Sequence, residues 1–432
     1  MQRFYPAVVV AVVSLDCFAG SFVGAEELTR ATPQSVGLSA DGLREVTKAC
    51  EDLVRRKECA GTVVGVVRHG KLVYLQAVGF RDIENAVPMT TDTIFRIYSM
   101  TKPITTTAAM MLWEEGKFGL DDPVSRYIPE FRNVRVWGGE DGDGNPVLLP
   151  PKRPITIRDL MRHTAGLTYG FYGNTAVDRR YLQANLLDRN STPEQFIRKL
   201  TRIPLLYHPG ERWHYSVSVD VLGCLVEKVS NQPLDLFLKE RIFDPLDMRD
   251  TGFYVPEQKL GRFAVNYTRR GESLVAIDRP ETSPYRRKPS FPSGGGGLVS
   301  TARDYLHFCA MLLNGGELFG RRILKPDTVR LMTTNQLGDI GYIGIVERRV
   351  GVGFGLGFSV VVKPGLWDRH AVKGEYGWSG AASTHFWISP THDLAVVALH
   401  QRMPFTNILQ QTVKPLVYRA VKEESNRATP SP

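Results

Sequence analysis

A serine and a lysine three residues apart, in Phe95-Arg-Ile-Tyr-Ser99-Met-Thr-Lys102-Pro103, could together activate a nucleophile without a metal. Positions i and i+3 of a helix share a face, so the lysine ammonium can reach the serine hydroxyl. Pro103 fits only in a first helical turn, where N–H groups lack intrahelical partners, and this fixes Ser99 at or near a helix N-terminus. There the positive end of the helix dipole and free backbone N–H groups can stabilise an oxyanion. The lysine becomes a base only if burial and a neighbouring dipole lower its pKa, so the site must be closed and electropositive. Ser99 is the only serine in the chain with a lysine at this spacing. The motif alone is weak, because a helix cap with a solvated lysine has the same pattern.

Other chemistries find little support. Gly377-Trp-Ser379-Gly380-Ala381 breaks the Gly-x-Ser-x-Gly spacing of a nucleophile elbow. The nine histidines are scattered and His-Glu-x-x-His is absent, so neither a metal nor an organic cofactor is expected. Gly294 to Gly297 lacks the Lys-Ser/Thr of a phosphate loop, and the alternating glycines from Gly351 to Gly357 lack dinucleotide spacing; both read as close-packed backbone. His163, with Thr164 and Gly166, reads as a structural turn supporting the site. The net charge of +9 is spread along the chain with acids between, which excludes a nucleic-acid groove.

The elements that must position Ser99 follow from periodicity. The chain has 432 residues, 43% of them apolar and 23% charged, enough for a large core in one compact unit of two lobes. Arg3, the apolar run from Ala7 to Val13 and the small residues Val23-Gly24-Ala25 predict a secretory signal peptide over 1–25, hence export to the periplasm or beyond, with no membrane insertion after cleavage. Cys17 follows Asp16, a poor lipoprotein site. Of the remaining cysteines, Cys224 and Cys309 sit in apolar helix-like runs and read as buried thiols, while a Cys50 to Cys59 bridge stays open. A helix is predicted over 41–57, a hairpin over 62–78 and a helix over 100–116, with further helices over 192–200, 219–229 and 301–313. Strand-like runs return at 357–362, 385–388 and 394–399. An antiparallel sheet flanked by helices results, an α/β lobe of the α+β type from 26–98 and 290–421, with a mainly helical lobe over 99–289 and a frayed tail over 422–432.

With Pro209-Gly210-Glu-Arg-Trp-His-Tyr215-Ser216-Val217, Arg162-His163-Thr-Ala-Gly166-Leu167, Gly295 to Asp304 and Gly377 to Gly380, the chain resembles the serine β-lactamase and penicillin-binding superfamily. It is most similar to class C β-lactamases and family VIII carboxylesterases, over a catalytic domain of about residues 37–410. The resemblance implies that Ser99 is acylated, that Lys102 activates it and that Tyr215 carries the proton to the leaving group. It also implies an oxyanion hole from the N–H groups of Ser99 and Ala381, and a substrate-binding strand edge at Trp378, Ser379 and Gly380. Which of Lys102 and Tyr215 is the formal base stays open. Val217 stands where class C enzymes have asparagine, and Trp378 where they have the lysine of Lys-Thr-Gly. Loss of a charged hydrogen bond costs about 1.5 to 3 kcal/mol, so a carboxylate-bearing β-lactam is disfavoured.

Short-chain carboxylic esters are therefore the leading substrates, with Tyr169, Phe171 and Tyr172 as wall residues and the loop over 337–350 as a further wall. β-Lactams, D-amino-acid peptides and other amides come second. A non-catalytic peptidoglycan-binding protein is the alternative from another class. Oligomeric state is not legible in the sequence.

Overall fold

The computed structural model describes residues 26–345 and 348–422; the predicted signal peptide and all but the first residue of the polar tail lie outside these. Its centre is an eight-stranded antiparallel sheet. The strands are β1 (Gly61–Arg68), β2 (Lys71–Asp82), β3 (Val87–Pro88), β4 (Val352–Phe354), β5 (Ser359–Val361), β6 (Tyr376–Gly380), β7 (Thr384–Ser389) and β8 (Leu394–Leu399), in the order β4-β5-β6-β7-β8-β1-β2-β3. β1 reads Gly-Thr-Val-Val-Gly-Val-Val-Arg, apolar without alternation, because both of its faces are covered. Val64 and Val66 face one cluster, with the helices α1 (Ala40–Arg55) and α5 (Ile408–Ala420); Val63 and Val67 face the other, with α4 (Ala302–Leu313). The antiparallel α/β architecture expected from the sequence is the one observed.

The helical lobe is built on α2 (Thr101–Glu114) and α3 (Ser218–Ser230), which pack on each other. Every residue of α2 from Thr101 to Leu112 is buried, which explains why its sequence is apolar or small all round rather than amphipathic. The expected helices at 192–200 and 301–313 appear as Pro193–Leu200 and α4, and Cys50, Cys59, Cys224 and Cys309 are all free and buried.

Between Gly252 and Asp278 the chain pairs with segments that precede and follow it. Gly252 bridges to Val299, and Phe263 to Ile94. Asn266–Arg270 and Ser273–Asp278 form a hairpin whose first strand pairs with Arg402–Met403. The stretch before residue 289, expected to be mainly helical, is in part strand.

Candidate active site

Ser99 lies in a turn of 3-10 helix, Tyr98–Met100, that runs straight into α2. Pro103 occupies the third position of α2, where its missing N–H leaves no bond unmade. The residue before the serine, Tyr98, has φ of +40°, a left-handed conformation that a bulky side chain adopts only under constraint. Constraint comes from β6. A Cβ on Gly380 would stand 2.2 Å from the Ile97 carbonyl oxygen, so the end of β6 and the turn leading to Ser99 meet backbone to backbone. The end of β6 therefore lies against the turn that carries Ser99.

Lys102 is fully buried and its Nζ donates to Ser99 Oγ at 3.1 Å and to the Gly295 carbonyl at 2.5 Å. Burial lowers its pKa to about 7, against the opposing pull of the Asp220 carboxylate. The lysine also lies over two rings, 4.7 Å from the centroid of Tyr215 and 5.3 Å from that of Tyr169. Tyr215 is 4% exposed, and its hydroxyl accepts from Trp378 Nε1 at 3.2 Å. Burial raises the Tyr215 pKa, with hydrogen bonds from Ser99 and Trp378 acting the other way, so the phenol keeps its proton in the resting site.

Asp220 escaped the sequence reading. It lies in the first turn of α3, fully enclosed, accepting from Gly295 N at 3.1 Å and from Ser293 Oγ, with its second oxygen unpartnered among the described residues. Burial raises its pKa while Lys102 lowers it. Gly295 is required there, because a Cβ would stand 2.2 Å from the Asp220 carboxylate. The available signal was a lone acid inside Val219-Asp220-Val221-Leu222, an apolar helical run where a surface residue is out of place.

His163 is buried, with its ring 4.8 Å from that of Tyr215 and its Nδ1 3.3 Å from Ser216 Oγ. Burial drives its pKa well below the ordinary value, so it packs as a neutral ring beneath the tyrosine and does not reach Ser99. The loop is fixed by His214 N donating to the His163 carbonyl and Gly210 N to that of Thr164. Trp378 packs on Tyr215 and Phe354, and Ser379 is half-exposed at the strand edge beside Gly380. Tyr169 stacks on Phe171 at 5.1 Å, and Tyr172 approaches Tyr215 at 6.0 Å, which forms the aromatic wall. Val217, at the position where class C enzymes have asparagine and read from the sequence as substrate-binding, is buried and packs in the core at the start of α3. A cleft of about 310 Å³ between Phe243, Met248 and Phe253 contains none of the candidate residues.

The β-lactamase family profile matches residues 46–412, most of the chain. The chain belongs to the β-lactamase family. Protein Rv1367c of Mycobacterium tuberculosis is 39% identical over 80% of this chain and 86% of its own length. Esterase EstB of Burkholderia gladioli is 32% identical over 85% of this chain and 92% of the esterase. Among solved structures, EstCE1, described as a hydrolase with promiscuous acyltransferase activity, superposes with a TM-score of 0.73 at 29% identity over 87% of this chain and 98% of that one. This β-lactamase-family protein is thus an enzyme of the serine hydrolase type.

Proposed function

We propose that this β-lactamase-family enzyme is an exported carboxylesterase that hydrolyses short-chain esters through an acyl-enzyme on Ser99. The observation that carries the reading is the contact of Ser99 Oγ with a buried lysine whose pKa is about 7. Near neutral pH a large fraction of Lys102 is uncharged and can take the serine proton as Oγ attacks the ester carbonyl carbon. Tyr215, protonated at rest, gives its proton to the departing alkoxide and is replenished from Lys102. The N–H groups of Ser99 and Ala381 receive the developing oxyanion. Water then attacks the acyl carbon, and the same groups run in reverse to release the acid.

Trp378 supports esters over β-lactams. Where a lysine would hold a drug carboxylate, an indole instead donates to Tyr215. A second reading is transfer of the acyl group to an alcohol, favoured by the Tyr169–Phe171–Tyr172 wall, which offers an acceptor an apolar surface, and by the acyltransferase activity described for EstCE1.

The deciding experiment compares p-nitrophenyl butyrate with nitrocefin, using the native enzyme and Ser99→Ala. Ester turnover well above nitrocefin turnover, both abolished in the variant, is the expected result. Dominant nitrocefin turnover would reverse the substrate assignment, and activity surviving in Ser99→Ala would end the mechanism. Added alcohol that raises nitrophenol release and yields a new ester would establish the transfer reaction.

A further inference from the structure

The mouth of the catalytic cleft is framed by exposed apolar side chains on two sides. On one side Phe171 is 57% exposed and Leu182 56%, brought together because Gly170 packs directly on Tyr181 and Leu182. On the other side every residue of Lys363-Pro-Gly-Leu366-Trp367 is exposed. Two contacts place this second loop at the cleft. The Arg349 guanidinium lies 5.2 Å over the Trp367 ring, and its charge is felt both by Tyr215 and by His385, the strand partner of Ser379. Leu366 abuts Gly351, three residues before Phe354, whose ring packs on Trp378.

The exposed tip is held out by a buried base. Lys414 Nζ binds Asp368 at 2.6 Å and also the buried Glu375, which in turn accepts from Tyr418. Gly365 N donates to the Asp368 carbonyl at 3.2 Å. Leu366 and Trp367 are therefore kept in water by an anchored loop, where an unconstrained loop could fold them inward. Among the described residues, the exposed charges around the tip are the cations Lys363, Arg369 and Lys373, while the acids Asp368 and Glu375 share the buried Lys414. A leucine and a tryptophan at the tip of a cationic loop have the chemistry of a bilayer interface, with apolar bodies below the headgroups and cations among anionic ones.

We propose that this face docks on an anionic lipid surface through Leu366, Trp367 and their flanking cations, so that the cleft takes its ester from the bilayer. The proposal rests on the reading of the Ser99 cleft as the active site, but docking is measurable without turnover. A chain starting at Glu26, which holds every described residue, would be sedimented with phosphatidylcholine vesicles with and without phosphatidylglycerol. Binding about tenfold stronger to the anionic vesicles, weakening as salt rises, is expected. Leu366→Ser/Trp367→Ser should lower that binding about tenfold while turnover of soluble p-nitrophenyl butyrate holds. Lys363→Glu/Lys373→Glu, which touches no packing, should lower it as well. Absence of binding to anionic vesicles overturns the proposal. So does binding unchanged in both variants, which would assign it to net charge alone, or a folded serine variant that loses turnover of the soluble ester. Failure of the native chain to hydrolyse esters, with docking intact, would count against the esterase reading only.

Discussion

Lys102 can act as a base only where it has lost its proton, and burial sets that point at about pH 7. Below it the ammonium predominates, so kcat/KM for p-nitrophenyl butyrate should rise with pH through about 7 and then level. Asp220 favours the ammonium, so Asp220→Asn should move this limb to lower pH, while the amide oxygen still accepts from Ser293 and Gly295. A limb that stays in place would assign it to another group. The contact between Ser99 and Lys102 was readable because a local spacing places both on one helical face. Tyr215 was readable only through a resemblance, since nothing nearby in sequence distinguishes a catalytic phenol from a packed one. Asp220 was not read at all: its burial is created by α2 and the glycine turn at Gly294–Gly297, both far from it in the chain.

At the level of elements, the contact between β6 and the turn before Ser99 holds the reacting groups in register. Gly380→Ala places a methyl 2.2 Å from the Ile97 carbonyl oxygen and must push the two apart. A displacement of about 1 Å costs on the order of a hundredfold in rate, so esterase turnover should fall by about that factor, with a lower melting temperature by calorimetry. Turnover within a few fold of native would show that the strand end tolerates movement. Helix α1 was legible because it buries one stripe whose period survives in the sequence, whereas α2 and β1, buried on all sides, were legible as unbroken runs of apolar and small residues ended by turn residues. β4 was not, since Gly351 to Gly357 offers no side-chain period. Gly353 is pressed by Asn335, Gly355 by the Met332 carbonyl, Gly351 by the Lys363 carbonyl and Gly357 by Thr106, which fits their reading as close-packed chain.

Across the whole molecule, the buried group of Lys414, Glu375 and Tyr418 ties α5 to the loop before β6. Lys414→Met would leave Glu375, 4% exposed, without its cation. Breaking such a pair costs about 3 to 5 kcal/mol, so the urea midpoint should drop sharply, with recovery when Glu375→Gln is added. Unchanged stability would mean that Tyr418 alone satisfies the carboxylate. The sheet order has one more consequence. β1 is made early in synthesis, yet its neighbour β8 comes near the end, and Ser99 precedes the Gly380 backbone it leans on by most of the chain. A ribosome-bound intermediate therefore carries Ser99 with an open sheet edge and without the β6 backbone beside it. The backbone that flanks Ser99 is complete only when translation is nearly finished, and the exposed edge of β1 is the surface a chaperone would have to shield until then.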